Sequence, residues 1–482
     1  MNQSKNKVKN SNTPNWSIII DETITQSREK IRDVLIKKYR LKKDNVLRTE
    51  NDIYKFTIGY MKQLYSGVDF EKNVNTITNK FVLGLKTFPE FISWAVTSMR
   101  IPYYQTLGDT MGYYNGNWEF NYGDVNAGPD YVNKMIYEFI SFGGINDINL
   151  ENWIASDDTI LYLATFRVLS EIDIINPDIQ TFGEKLKKEY LAVRPQIMDR
   201  HPGATTISSL EKQEHIKWDE LQYDSSAKGN GSVMRCGCIG IFFPGKINRS
   251  KLVYLAMEAS RITHNSTIAN LGSVTAALFT AYGLEKISVN LWPGKLIRLL
   301  KSDLIDLYMK KEHPTEYPLY VRDKITYIGQ WEKYIRIRFN GTNIRGDQKW
   351  MKNPVLRYKY LSENFSKGCQ IPGGCADDCI IMAYDALLES ENIFEKIVVY
   401  SILHPGDSDT VGSVALSWYG ARYHTMRNEI LFEDRFDNLE FSNQIYDIDE
   451  KITSKLIKTF YHDIYLSTAY NYLNNKISTK IR

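Results

Sequence analysis

Two short runs place carboxylates beside hydroxyls at the points where long apolar stretches begin. One is Ser156-Asp157-Asp158-Thr159 and the other is Asp407-Ser408-Asp409-Thr410. A single run of this kind is explained by helix capping. Ser and Asp oxygens accept bonds from the orphan N–H groups of a first turn, and negative charge suits that end of the dipole. Capping needs one side chain per helix, however, and each run carries two acids. Adjacent carboxylates packed against apolar helices are costly unless a cation or a proton compensates them. Hard divalent ions want oxygen ligands in octahedral array, and four Asp with the Ser156 and Thr410 hydroxyls could hold two such ions. About 250 residues of chain separate the runs, so the fold must bring them together.

Three glycine-bearing segments suit a phosphate-carrying ligand. They are His201-Pro202-Gly203-Ala204-Thr205-Thr206, Lys228-Gly229-Asn230-Gly231-Ser232 and Pro372-Gly373-Gly374-Cys375-Ala376-Asp377-Asp378. Glycine lets backbone N–H groups approach phosphate oxygens closely. None is a Walker A loop or a dinucleotide fingerprint. An ordinary turn explains each one alone; beside a two-metal centre they point to a phosphate-bearing substrate.

The elements that must position these residues read as helices. The apolar runs Ile160–Leu169, Leu271–Leu284 and Val411–Tyr423 each exceed a strand of about 5–6 residues. The last two are dense in Ala, Gly and Ser, which lets helices pack closely, and period-2 alternation is scarce. The expected fold class is therefore all-α. Residues 310–365, with Pro314, Pro318 and Pro354, read as a loop-like surface excursion. Upstream, residues 1–15 read as a polar tail. Residues 16–95 read as a helical extension, with Ile31, Val34, Leu35 and Tyr39 at helical spacing. Residues 96–482 read as the catalytic domain.

Composition narrows the function. The chain has 482 residues, and 60 Lys+Arg against 57 Asp+Glu leave a net charge of only +3, which argues against an electrostatically driven nucleic-acid binder. Its 43% hydrophobic and 13% aromatic content excludes global disorder. Length alone suggests about three domains. The N-terminus lacks the apolar core of a signal peptide, and the stretch around Val274–Leu284 falls short of the ~20 residues that span a bilayer. Five cysteines are too few and odd in number for a disulfide scaffold, pointing to a reducing, cytoplasmic compartment. Cys236, Cys238, Cys369, Cys375 and Cys379 read as buried reduced thiols rather than a zinc site. A cysteine nucleophile paired with His264 or His404 is the lesser alternative.

The ordered motifs resemble the ADP-ribosylglycohydrolase family. The run Gly108-Asp109-Thr110-Met111-Gly112-Tyr113-Tyr114-Asn115-Gly116-Asn117-Trp118-Glu119 is similar to that family's opening motif. It looks most like the ADP-ribosylarginine hydrolase branch, which shares G-Y-Y-N-G-x-W-E. Both acidic runs match its metal motifs, Gly229–Arg235 resembles its G-x-G-A-A-M-R loop, and Thr263-His264 also fits. Asn265-Ser266-Thr267 departs from that branch, which has further His and Pro there.

The resemblance implies an orthogonal multi-helix bundle with two Mg²⁺ or Mn²⁺ ions on the floor of a cleft. It implies Ser156, Asp157, Asp158, Asp407, Asp409 and Thr410 as ligands, with Asp157, Asp158 and Glu119 as the catalytic carboxylates. It implies Gly203, Ala204, Thr205, Asn230, Gly231, Ser232, His264, Gly374 and Asp378 around the substrate. The expected activity is hydrolysis of the bond between ADP-ribose and arginine side chains of modified proteins, by a monomer that binds neither membrane nor nucleic acid. Two alternatives stay open: a hydrolase of O-linked ADP-ribose or free ADP-ribose derivatives, and a non-catalytic ADP-ribose-binding module.

Overall fold

The apolar run at the centre of the sequence forms a helix that is buried along its whole length. Ser266 starts it by accepting the N–H of Ala269 at 3.2 Å, and all 18 residues of Thr267–Leu284 are buried. A helix apolar on every face must be surrounded by protein or lipid. This one is long and apolar enough to cross a bilayer, yet it is wholly enclosed by other helices. Its Ala, Gly and Ser content allows that close approach.

A computed structural model describes residues 88–119, 128–174, 176–346, 348–424 and 436–449, with isolated positions 28, 29, 32, 51 and 451. The chain forms two compact units, one of Met1–Phe81, Lys86–Pro89 and Asp449–Arg482, the other of Val82–Leu85 and Glu90–Ile448. The expected tail of residues 1–15, and nearly all of the expected extension, lie outside the described residues.

The helices that build the core and the site are α1 (Phe88–Tyr113), α2 (Asp157–Glu171), α3 (Ile179–Ile197), α4 (Ala204–Gln213), α5 (Arg249–Arg261), α6 (Thr267–Leu284), α7 (Tyr317–Arg338), α8 (Pro354–Phe365), α9 (Ala376–Ser390), α10 (Phe394–Ser401) and α11 (Ser408–Tyr423). Among the described residues the only strands are β1 (Phe339–Asn340) and β2 (Asn343–Ile344), a two-residue antiparallel pairing. The fold is all-α. Helix α6 is the hub, packed by α5, α7, α9 and α11. Trp418 on α11 donates its indole N–H to the Ala276 carbonyl on α6 at 3.1 Å. The expected buried helices at Ile160–Leu169 and Val411–Tyr423 are α2 and α11.

One expectation is corrected. Residues 310–365 are not a loop-like excursion, because α7 and α8 occupy most of them. Pro318 and Pro354 sit in first turns, where the missing N–H costs nothing and the fixed φ favours helix entry. Asn353 caps α8 by accepting the Leu356 N–H at 2.9 Å.

Candidate active site

The two acidic runs meet at the floor of a cleft of about 390 Å³. Each enters as the first turn of a helix. Ser156 caps α2, its Oγ accepting the Asp158 N–H at 3.1 Å. Asp407 caps α11, its Oδ1 accepting the Thr410 N–H at 3.3 Å. Each run thus carries carboxylates beyond the single side chain that capping needs. The runs touch directly. Thr410 Oγ1 donates to Asp158 Oδ1 at 3.3 Å, and Ser413 Oγ donates to Asp158 Oδ2 at 3.1 Å.

Glu119 joins them from a distant segment. One carboxylate oxygen each from Glu119, Asp407 and Asp409 lies within 4.8 Å of the others, and all three side chains are buried. A turn with three successive positive φ angles delivers Glu119: Tyr114 at 42°, Asn115 at 53° and Gly116 at 83°. Two of these residues are not glycine, so the turn is strained and needs outside support. Asn115 Oδ1 supplies some by accepting the Ile154 N–H at 2.7 Å, and the buried Trp118 donates to Glu138 Oε2 at 2.8 Å.

The cluster holds its protons tightly. Burial, then the neighbouring Asp109 and Asp407 charges, push Asp157 up to about 8. Asp158 and Asp409 are raised well above the usual carboxylate range, burial again being the largest cause. Asp407 is raised in the same direction by burial. Like charges in a water-poor site are stable only when neutralised. The donor set is entirely oxygen, from carboxylates and hydroxyls, which fits a hard divalent cation and not a soft one.

Asp109 is a member of this cluster that the sequence reading left without a role. Fully buried on α1, it accepts the N–H groups of Ser156 and Thr159, both at 3.0 Å, and the Thr159 hydroxyl. It fixes the first turn of α2 and so aims Asp157 and Asp158. Flanking glycines bring α1 this close. A Cβ at Gly112 would stand 2.4 Å from the Ser408 carbonyl oxygen and 2.6 Å from the Asp409 Cα. Gly112→Ala must therefore push α1 off the turn that carries Asp409. Overpacking of this kind costs about 1–3 kcal/mol. We expect a lower Tm together with a weaker divalent-cation Kd by calorimetry. Unchanged values for both would contradict the close-contact account.

Backbone donors line the rim. Gly203 is the N-cap of α4 and offers no side chain to close its first turn, so the turn at Ala204, Thr205 and Thr206 faces the cleft. Helix N-termini of this kind attract anions. The Asn230 N–H donates to the Gly374 carbonyl at 3.2 Å, and the Ala376 N–H donates to the Lys228 carbonyl at 2.9 Å. These bonds splice the second and third glycine segments into one wall. Asn230 Nδ2 also donates to Asp407 Oδ2 at 2.9 Å, linking wall to floor. Gly231 and Gly374 line the same cleft, as does His264.

Two residues expected at the substrate stand elsewhere. The Ser232 hydroxyl is buried and accepts from Ser273 Oγ on α6 at 3.0 Å. Asp378 is fully buried behind the wall, its oxygens accepting the N–H groups of Gly373 at 2.8 Å and Cys375 at 3.0 Å. It holds the turn rather than facing the cleft. His201 and Lys228 line the cleft without having been singled out. Their signal was present, since each opens a glycine segment.

The cysteine expectation is also corrected. Cys369 and Cys375 form a disulfide with a Cα–Cα distance of 5.8 Å. The intervening chain turns back through Gly373, at positive φ, which brings two cysteines six residues apart within bonding reach. Cys236, Cys238 and Cys379 are buried free thiols, and burial raises their pKa values, opposing thiolate chemistry. The departure at Asn265-Ser266 is structural. Asn265 Nδ2 donates to the Leu221 carbonyl at 2.8 Å, and Ser266 caps α6.

Comparison with known proteins follows the same lines. Residues 105–441 match the ADP-ribosylglycohydrolase family. The chain is 51% identical over 465 residues to an Acanthamoeba polyphaga mimivirus protein named as an ADP-ribosyl glycohydrolase, covering 95% of this chain and 90% of that one. It is 28% identical over 379 residues to the ADP-ribosylhydrolase ARH1 of Dictyostelium discoideum, covering 73% of this chain and 93% of that one. A solved structure named ADP-ribosylglycohydrolase-related protein complex aligns with a TM-score of 0.43 at 17% identity, covering 74% of this chain and 98% of that one. With the family matched across most of its length, and through both acidic runs and the glycine wall between them, the chain belongs to the ADP-ribosylglycohydrolase family.

Proposed function

We propose that the protein hydrolyses the N-glycosidic bond between ADP-ribose and arginine side chains of modified proteins, with Mg²⁺ held by the buried carboxylates. The observation that carries this reading is the meeting, in one cleft, of an all-oxygen acidic floor with a rim of backbone donors and glycines. The floor suits a divalent cation and a ribose; the rim suits a diphosphate. The arginine linkage rests on the resemblance of Tyr113–Glu119 to that branch of the family.

Asp157, Asp158, Asp407, Asp409 and Thr410 would hold the ions, with Ser156 supporting the first turn. Bound there, divalent cations would supply orientation of ribose hydroxyls and a more acidic water. The chain's own contribution is then positioning. The α4 N-terminus and the Asn230–Gly231 wall seat the phosphates, so that the glycosidic carbon lies over the floor. Cleavage develops positive charge on the ribosyl ring, which the dense carboxylate cluster favours electrostatically. Glu119 stands at the edge of that cluster, where a carboxylate can position the guanidinium leaving group.

The test is a linkage panel. Arginine-, serine- and glutamate-linked ADP-ribosyl substrates are incubated with Mg²⁺ and with EDTA. Release from arginine alone, abolished by EDTA, is expected. Preferential release from serine or glutamate would replace the linkage assignment. Tight binding of ADP-ribose with no release from any substrate would make the chain a binding module.

A further inference from the structure

Arg235 is fully buried, yet none of its hydrogen-bond partners is a carboxylate. Its guanidinium donates to the carbonyls of Gly231 and Ala259, to the Tyr190 hydroxyl at 2.9 Å and to Thr263 Oγ1 at 2.6 Å. A buried charge satisfied only by neutral acceptors orients each of them, because an arginine can donate and never accept. The consequences can be followed proton by proton. Tyr190, accepting from Arg235, passes its own proton to Thr165, whose hydroxyl donates to the Leu161 carbonyl on α2. Thr263, accepting from Arg235, has one proton left, and its oxygen lies 2.8 Å from His264 Nδ1. That oxygen has a second lone pair, so accepting from Arg235 does not by itself aim its proton; Nδ1 is its only other hydrogen-bond partner among the described residues, and donation there satisfies the proton and leaves Nδ1 as the unprotonated nitrogen.

We propose that Arg235 and Thr263 are positioning residues that lock His264 as the neutral Nε2–H tautomer, presenting a donor to an oxygen of the ADP-ribose unit in the cleft. The ligand half of this statement rests on the function proposed above; the tautomer half does not. The geometry fits a donor on that side of the ring. His264 lines the cleft, and Nε2 makes no hydrogen bond among the described residues. The glycine wall leaves room for the ring edge: a Cβ at Gly231 would lie 2.8 Å from its Cε1, and one at Gly229 would lie 3.3 Å from Nε2. Burial and the Arg235 charge hold the imidazole pKa down to about 3, so the ring stays neutral through the physiological range. A neutral imidazole offers one donor and one acceptor, and the bond made by one nitrogen decides which the other becomes. The same guanidinium also holds Gly231, so one side chain sets both the wall and the donor beside it.

Histidine-selective ¹⁵N labelling of the full-length, metal-free protein reads the tautomer directly. His264→Gln identifies the resonances by their disappearance. The expected wild-type spectrum shows a pyridine-type Nδ1 and a pyrrole-type Nε2. Thr263→Val removes the relay without changing shape much. It should convert His264 to a mixture of tautomers and weaken ADP-ribose binding about tenfold, the scale of one hydrogen bond to a charged or polar acceptor. Thr263→Ser should restore both. In turnover assays the valine defect should fall on KM more than on kcat. A pyrrole-type Nδ1 in the wild type overturns the proposal whatever the fate of the variants. So does Thr263→Val with tautomer and ADP-ribose Kd unchanged. If ADP-ribose fails to bind the wild type, the ligand assignment falls while the nitrogen spectrum still decides the relay.

Discussion

Replacing Asp409 by asparagine should abolish hydrolysis and make the metal-free protein more heat-stable. Both outcomes follow from one arrangement. The Asp409 carboxylate is buried within 4.8 Å of Glu119 and Asp407 oxygens, and burial followed by the Glu119, Asp158 and Asp407 charges raises its pKa well above the usual range. Asparagine keeps the shape and keeps an acceptor for the Thr410 N–H, which Asp409 Oδ1 meets at 2.8 Å. What it removes is a negative charge that the fold tolerates poorly and that a bound divalent cation would require. Loss of a group that stabilises charge at the reacting centre costs about a thousandfold in rate or more. The expected result is a kcat at or below one part in about a thousand, a weakened Mg²⁺ affinity and a higher Tm in EDTA. Functional sites commonly trade stability for activity in this way. The two readouts guard each other. An inactive variant with a lowered Tm would mean that asparagine merely disrupts packing. A variant retaining a tenth of wild-type activity would remove Asp409 from the reaction.

Much of this site was legible in the sequence because its chemistry is local. Ser156-Asp157-Asp158-Thr159 and Asp407-Ser408-Asp409-Thr410 each concentrate oxygen at a helix start, and the apolar runs behind them could only be buried helices. What stayed hidden depends on contacts between distant segments. Asp109 is a lone acid between Gly108 and Thr110, with nothing local to show that its carboxylate reaches the first turn of α2. The sign available was Gly108 and Gly112 on one helix face, spaced for close approach to another backbone. Asp378 misled in the opposite sense. An acid beside a glycine turn suggests ligand contact, but its two oxygens are spent on the N–H groups of that turn. Proline misled at α7 and α8 because its meaning is positional: in a first turn it begins a helix, and only in the interior does it break one. The Arg235–Thr263–His264 relay draws its acceptors from α3, α5 and the glycine wall. No spacing within a single stretch encodes that convergence.

In EDTA the protein should lose stability as the pH rises from about 4 to about 8, the reverse of the behaviour of a fold held by carboxylate ion pairs. Asp157 carries its proton up to about 8, while Asp158 and Asp409 are raised well above the ordinary range and Asp109 and Asp407 move the same way. The unfolded chain releases these protons near pH 4. Between that value and the folded values the native state holds more protons than the unfolded state. The slope of unfolding free energy against pH is then negative. Below about pH 4 both states are protonated and no penalty applies. Above the folded pKa values the penalty is complete. A divalent cation bound at the cluster would reverse this by taking the place of the protons, and its binding would release them. The Tm gain on adding Mg²⁺ should therefore be larger at pH 8 than at pH 5, where protons compete for the same oxygens. At a hundredfold excess over Kd the gain at pH 8 is about 2.7 kcal/mol, or ~3–4 °C for a unit of this size. Scanning fluorimetry across that range, with EDTA and with Mg²⁺, measures both slopes. A Tm in EDTA that climbs from pH 5 to pH 8, or a Mg²⁺ gain independent of pH, would mean that the cluster is neutralised from within the chain and needs no cation to persist.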